Sequence, residues 1–168
     1  GAWIFGGEVC FSNCRVTGNV ASGGGGGISC QGSHRFVNCT IAGNRSNPYG
    51  KGGGILFGPG REQDTSYVLN SIVWGNMVHV TADGFVADDV AVKSGGILGG
   101  MGVNAVYSLI GADSNSVDND VTGQWLTGDP LFADPGRWDP NELASAPLDD
   151  FWVEGDYHLK SQTGRWDP

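Results

Sequence analysis

Apolar and polar residues alternate in three short segments that align with one another without gaps. They read FSNCRVTGN at 11–19, FVNCTIAGN at 36–44 and VLNSIVWGN at 68–76, and a shorter fourth segment, VYSLIG, begins at Val106. The alternation has the period of two that is typical of β-strands, not the helical period of 3.6. We therefore expect short strands that recur along the chain and turn one face toward a core.

A glycine-rich block recurs between these segments and ends at Ile28, Ile55 and Ile97. Repeats spaced by about 20 to 50 residues indicate an architecture in which each unit buries its apolar face against its neighbours. Stacking in register predicts four inward columns of equivalent side chains. The columns are Ser12, Val37, Leu69 and Val106; Cys14, Cys39, Ser71 and Ser108; Val16, Ile41, Val73 and Ile110; and Ile28, Ile55 and Ile97.

Each aligned segment closes with a Gly-Asn pair, at 18–19, 43–44 and 75–76. Glycine and asparagine tolerate left-handed backbone conformations, so the same sharp corner can be made in every unit. Asparagine side chains at equivalent corners could also hydrogen-bond along the stack. The insertions that separate the units fall near 58–65 and 77–94 and are predicted to be loops.

These repeats resemble the right-handed parallel β-helix superfamily, whose best-known members are pectate lyases and other polysaccharide-acting proteins. The GGGI block followed by N-C-x-I-x-G-N also resembles secreted bacterial repeat proteins and polymorphic outer-membrane proteins. The resemblance covers residues 1–111, here called the body, and implies an all-β, right-handed parallel β-helix (solenoid) of about four to five coils. An antiparallel β-sandwich with glycine-rich turns is the alternative.

Residues 112–168, here called the tail, differ from the body in charge. The body is electrically neutral, whereas the tail carries the whole net charge of −9. Its segments GDPLFADP at 128–135 and GDYHLKSQTGRWDP at 155–168 resemble the closing part of secreted bacterial β-helix proteins, in which a DYHL-type strand seals the end of the coil. We expect an irregular acidic capping segment, and a chain that is part of a longer extracellular or cell-surface bacterial protein.

The charge distribution also bears on partners. The sequence has no basic stripe to neutralise phosphates, which disfavours nucleic acid and anionic membranes. It has no apolar run of transmembrane length, so membrane insertion is not expected. Divalent cations or neutral sugars fit this composition better. His34, His79 and His158 lack partners at motif spacing and are interpreted as structural or solvated.

The cysteines Cys10, Cys14, Cys30 and Cys39 leave two readings open. Cys14 and Cys39 share a predicted column and could pair in an oxidising compartment. Alternatively the thiols are small buried residues, because serine replaces them at 71 and 108. The sequence does not decide between these readings.

Two candidate sites follow from residue type. Asp113, Asp118 and Asp120 in the loop DSNSVDND could offer oxygen ligands to Ca²⁺, but the loop lacks EF-hand spacing, which favours a solvated acidic loop. Trp74 should point outward because Val73 points inward, and its indole could stack on a sugar. Outward-facing Asn13, Asn38 and Asn70 would form a polar ladder beside it, as a shallow sugar groove or as structural turn residues.

The sequence thus favours a secreted or cell-surface β-helix module with a structural, adhesive or glycan-binding role. The alternative is a polysaccharide lyase or glycoside hydrolase of the pectate-lyase-like type, for which no catalytic residues are identified. Exposed strand edges at an open end of the stack would also permit end-to-end self-association.

Overall fold

The computed structural model describes residues 1–47, 50–58, 64–80, 84–92, 102–111, 121–139 and 150–160. Within these ranges every regular element is a β-strand, and most neighbouring strands run parallel. The described residues include no helix of the length and apolarity needed to cross a membrane.

The chain makes successive passes, and each of the first three places strands in three different sheets. The first two passes supply β1 (Ala2–Phe5), β2 (Val9–Ser12), β3 (Arg15–Thr17), β4 (Val20–Ala21), β5 (Ile28–Gln31), β6 (His34–Val37), β7 (Thr40–Ala42) and β8 (Arg45–Ser46). The following passes supply β9 (Ile55–Phe57), β10 (Thr65–Leu69), β11 (Ile72–Trp74), β12 (Met77–Val80), β13 (Gly84–Ala87), β14 (Val90–Val92), β15 (Gly102–Ile110) and β16 (Val121–Leu126). The remaining strands are β17 (Phe132–Asp134), β18 (Arg137–Asp139), β19 (Phe151–Val153) and β20 (Asp156–Leu159).

Three sheets form the body. Strands β1, β5, β9 and β14 make a parallel four-stranded sheet. The second sheet is strongly curled and has eight strands: β2, β6 and β10 lead to the first half of β15, β3, β7 and β11 lead to its second half, and β16 of the tail pairs with β15. Strands β4, β8 and β12 form a third parallel series to which β13 adds antiparallel. The parallel pairing of the body strands contradicts the antiparallel sandwich alternative.

Two of the predicted inward columns are confirmed. Val16, Ile41, Val73 and Ile110 lie opposite one another on neighbouring strands and belong to the hydrophobic core. In the column of Cys14, Cys39, Ser71 and Ser108, the Ser71 hydroxyl accepts a 3.0 Å bond from the Cys39 backbone N–H. The Ser108 hydroxyl accepts a 3.2 Å bond from the Ser71 N–H, so small polar side chains link successive passes inside the core.

The column of Ser12, Val37, Leu69 and Val106 is stacked in register but is wrong as an inward column. The core is filled instead by the preceding residue of each strand, namely Phe11, Phe36, Val68 and Ala105. The reason is the next residue, because Asn13, Asn38 and Asn70 have φ of 54°, 54° and 46°. A left-handed residue interrupts the period-two alternation, so extrapolation across it assigns the wrong face.

The column that begins with Ile28 and Ile55 continues with Val90, which lies opposite Ile55. The prediction gave this position to Ile97, which lies outside the described residues. The predicted loop at 77–94 in fact contributes β12, β13 and β14. Strand β14 was missed because Asp88 and Asp89, not glycines, precede it.

A ladder of asparagines runs through the interior at the Gly-Asn corners, as predicted. The Asn19 amide donates to Asn44 Oδ1 at 2.9 Å, and the Asn44 amide donates to Asn76 Oδ1 at 2.8 Å. The Asn76 amide in turn donates to Asp89 Oδ1 at 2.8 Å. The glycine blocks make this possible, because a Cβ at position 54 would lie 2.8 Å from Asn76 Nδ2.

Candidate binding recess

Part of the tail lies along the flank of the body. Residues 129–139 and 150–160, here called the strap, form the antiparallel pairs β17–β20 and β18–β19. Phe132 packs edge-on against Trp74 of β11, at 6.1 Å between ring centroids, and the Tyr157 ring lies 5.6 Å from the Arg15 guanidinium of β3. The resemblance implied that the DYHL strand seals an end of the stack; the structure places β20 on the flank, and β16 pairs with β15.

Trp152 of the strap is seated on two glycines of the body. A Cβ at Gly18 or at Gly43 would overlap the Trp152 side chain, whereas a Cβ at Gly75 would meet nothing within 4 Å. All three glycines have positive φ, 60°, 64° and 67°. The glycine at each corner therefore allows the left-handed turn. In two of the three passes its lack of a side chain also leaves space for the indole of Trp152 to pack against the backbone.

Arg45 connects the strap to the body through a largely buried ion pair. Its Nη1 donates to Asp150 Oδ2 at 2.9 Å, with 11% and 13% of the two side chains exposed. The guanidinium carbon lies 4.2 Å from the ring centroids of both Phe85 and Trp138. Burial lowers the pKa of Arg45 and outweighs the opposing effect of the Asp150 carboxylate. The aromatic stacking and the charge pair together fix the guanidinium in one position.

Between strap and body lies a recess of about 320 Å³, here called the aromatic recess. Its main side chains are Trp74, Trp138, Trp152, Met77 and Arg45. The rings of Trp138 and Trp152 are 5.4 Å apart at an interplanar angle of 62°. Trp138 Nε1 donates to the Gly43 carbonyl at 2.8 Å, and Trp152 Nε1 donates to Glu154 at 3.2 Å. These two hydrogen bonds fix the orientation of the Trp138 and Trp152 indoles.

The chemistry of the aromatic recess suits a ligand with apolar faces and polar edges. Indole rings provide flat apolar surfaces, and their preset geometry lowers the entropic cost of binding. Arg45 and the exposed Arg137 line the same recess, and the Arg137 guanidinium provides hydrogen-bond donors. Sugar rings have this combination of C–H faces and hydroxyl edges.

The structure brings one of the predicted sugar-binding residues into this recess. Trp74 turns away from the core as alternation predicted, and its indole is half-buried under the strap. Asn13, Asn38 and Asn70 lie at the corner before β3, β7 and β11, whereas Trp74 ends β11. The Asn38 amide donates to Asn13 Oδ1 at 3.2 Å and the Asn70 amide to Asn38 Oδ1 at 2.6 Å. These asparagines thus form the exposed ladder and occupy left-handed corners, and their role in sugar binding stays a prediction.

Sequence reasoning missed the other members of the recess. Trp138 belongs to the pentapeptide GRWDP at 136–140, which recurs at 164–168, and this duplication was a signal whose role the sequence did not reveal. Trp152 and Arg45 carry no motif. Their position depends on contacts between residues that lie about a hundred positions apart, such as Arg45 with Asp150.

The other predicted sites divide into those that can be located and those that cannot. Asp113, Asp118 and Asp120 lie outside the described residues, and among the described ones no group of three His, Cys, Asp or Glu side chains could hold a metal ion. All four cysteines are free thiols. Burial raises the pKa of Cys30 to about 12. His34 is buried and accepts from the Val9 N–H through Nδ1, so its structural role is confirmed.

A second surface depression lies on the outer face of β2, β6 and β10. This trough of about 400 Å³ is formed mainly by Glu8, Cys10, Ser33, Arg35, Thr65 and Tyr67. Cys10, Arg35 and Tyr67 face one another across neighbouring strands, each three residues before a corner asparagine. That constant offset could have revealed the column from the repeat alone.

The chain matches no protein-family model, and searches with it returned no similar curated protein and no similar solved structure.

Proposed function

We propose that the chain is a right-handed parallel β-helix module of a secreted or cell-surface bacterial protein and that it binds glycans in the aromatic recess. The stacked registers of three parallel sheets support the β-helix assignment, as do the left-handed corner that recurs in every pass and the interior ladder from Asn19 to Asp89. The low charge of the body and the resemblance of the tail support an extracellular setting.

The observation that carries the binding role is the convergence of three indoles on one recess. Trp74 comes from the body, while Trp138 and Trp152 come from the strap. Tryptophans that only filled a gap between strap and body would close it. These leave a volume of about 320 Å³, within the range of roughly 300–1,000 Å³ of small-ligand sites, with the exposed Arg137 at its wall.

The experiment is a binding screen with neutral and acidic oligosaccharides, read by calorimetry. The test variant is Trp74→Ala, for which we expect at least a tenfold weaker affinity, on the order of the 1.4 kcal/mol that a tenfold change represents. The control is Tyr107→Asn, which removes an aromatic side chain that is 84% exposed at a left-handed corner with φ of 52°. Asparagine already occupies the equivalent corners, so this variant should fold and bind normally.

A second readout, which needs no substitution, distinguishes a lost ligand contact at Trp74 from a displaced strap. In the unmodified protein, a bound oligosaccharide should slow oxidation of Trp74, Trp138 and Trp152 by N-bromosuccinimide but leave Trp3, which is 79% exposed, unprotected. Absence of binding across the panel, or equal protection of all tryptophans, would overturn the proposal. Accumulation of unsaturated products from acidic polysaccharides would replace pure binding with the lyase alternative.

A further inference from the structure

The trough on β2, β6 and β10 contains two opposite charges that do not pair. In the register of the strands Cys10 lies opposite Arg35, and Glu8 stands two residues before Cys10. A strand rise of about 3.3 Å and a strand spacing of about 4.8 Å place the Cα atoms of Glu8 and Arg35 roughly 8 Å apart. Side chains of this length can bridge that separation. Within the described part of the chain, however, neither forms an ion pair.

Arg35 contacts an aromatic side chain of the next strand. Arg35 Cζ lies 5.4 Å from the ring centroid of Tyr67, which is directly opposite Arg35 on β10. Stacking over an aromatic ring stabilises a cation and leaves the N–H donors at the rim of the guanidinium available. Glu8, which immediately precedes β2, and Arg35 therefore both line the trough without pairing with each other.

The space between the two charges is accessible and polar. In the register of the strands, Glu8, Ser33 and Thr65 lie opposite one another in one row across the trough. The Thr65 N–H donates to Ser33 Oγ at 3.2 Å. A further depression of about 300 Å³ adjoins the trough, shares Glu8 and Ser33 with it, and extends past Gly7 and Gly32 to Asp64. A ligand group at the carboxylate end therefore has room to enter.

We propose that this trough is a second binding site, separate from the aromatic recess, for a ligand that carries both an ammonium and an anionic group. The anion would accept from the Arg35 guanidinium, and the ammonium would donate to the Glu8 carboxylate. Such a ligand forms ion pairs with both side chains at once, whereas a ligand with one charged group pairs with only one of them. An amino sugar that carries a phosphate or carboxylate has this chemistry on a single ring.

The test uses three probes, titrated into the whole chain by calorimetry or by NMR shift perturbation, of which the second and third each lack one charged group of the first. Glucosamine 6-phosphate carries both charges, N-acetylglucosamine 6-phosphate lacks the ammonium, and glucosamine lacks the anion. We expect the first probe to bind at least tenfold more tightly than the other two. Arg35→Gln and Glu8→Gln should each remove this preference.

Arg15→Gln provides the matched control. Arg15 also lies over a tyrosine ring, that of Tyr157 at 5.6 Å, but it already has a carboxylate partner in Glu154 at 3.5 Å. The control should bind all three probes as the unmodified protein does. Equal affinity for the three probes, binding that survives Arg35→Gln, or no binding of the doubly charged probe would each overturn the proposal. None of these outcomes bears on the aromatic recess, which Trp74→Ala tests separately.

Discussion

At the scale of single residues, the left-handed positions determine which side chains reach the core. Corner asparagines at 13, 38 and 70 and corner glycines at 18, 43 and 75 all have positive φ. An L-residue with a Cβ other than asparagine or aspartate is disfavoured there by about 1–2 kcal/mol. The repeat of these residue types is thus the local cause of the repeated path of the chain.

The corner glycines separate backbone strain from packing. Gly43→Ala and Gly75→Ala should each lose about 1–2 kcal/mol of unfolding free energy, because both positions are left-handed. Gly43→Ala should lose about 1–3 kcal/mol more and loosen the strap, since its methyl group overlaps Trp152 while that of Gly75→Ala meets open space. Urea denaturation and hydrogen exchange at 150–154 measure the two effects. Equal losses in both variants would show that Trp152 is not seated on Gly43.

At the scale of elements, the body has two asparagine ladders with different surroundings. The outer ladder of Asn13, Asn38 and Asn70 is exposed, so water can replace each of its bonds. The inner ladder passes through Asn44 and Asn76, which are both fully buried. Its members have no access to water, and a lost partner leaves buried polar groups unsatisfied.

The two ladders should therefore respond differently to deletion of one amide. Asn76→Ala removes the acceptor of the Asn44 amide and a donor to Asp89, and we expect a loss of about 3 kcal/mol. Asn38→Gly keeps a residue that tolerates the left-handed corner, and it should cost no more than about 1 kcal/mol. Chemical denaturation of the two variants gives the comparison. A large loss in Asn38→Gly would mean that the exposed ladder stabilises the stack as much as the buried one.

At the scale of the whole molecule, the strap holds successive passes together from outside. It contacts the first pass through Trp152 and Glu154, the second through Asp150, and the third through Phe132. Two of its acidic side chains, Asp150 and Glu154, pair with arginines of the body, whose net charge is zero. The two ion pairs involved differ greatly in exposure, which allows their contributions to be compared.

Asp150→Asn should weaken the strap far more than Glu154→Gln. The Arg45–Asp150 pair has side chains only 11% and 13% exposed, and loss of one partner leaves a buried guanidinium uncompensated, at about 3 kcal/mol. The Arg15–Glu154 pair is 57% and 46% exposed and should contribute no more than about 1 kcal/mol. Thermal melts of both variants at low and high salt provide the measurement. Similar losses in the two would argue that the strap is not fixed at Asp150.

Alkaline pH should release the strap through Tyr157. Burial, followed by the Glu154 charge, raises the pKa of Tyr157 to about 12 from its usual value of 10.0. The folded protein therefore holds this proton more tightly than the unfolded chain does. The stabilisation that protonated Tyr157 contributes to the folded state is complete below about pH 10 and is lost as the pH rises toward 12. Denaturation between pH 9 and pH 12 should show a steeper loss in the unmodified protein than in Tyr157→Phe. Parallel pH profiles would exclude this role for Tyr157.

The sequence by itself determined the repeated features of the body. Period-two alternation, Gly-Asn corners and stacked equivalents such as Val16, Ile41 and Val73 are confirmed, because strand pleating and left-handed turns are properties of a few consecutive residues. Its errors also have local causes. The column at Ser12 failed because Asn13 interrupts the alternation, and β14 was missed because two aspartates replace the glycines that precede the other strands of its sheet.

Only the tertiary structure decided where the strap lies and what it encloses. Trp138 donates to the carbonyl of Gly43, 95 residues earlier, and no pattern within either segment encodes that contact. The sequence placed Trp74 on the outer surface, but the aromatic recess exists because the strap brings two further indoles to it. Likewise Arg35 and Glu8 became a candidate pair of binding groups only when the register of neighbouring strands was known. Local periodicity fixes the direction of a side chain, whereas long-range packing chooses its neighbours.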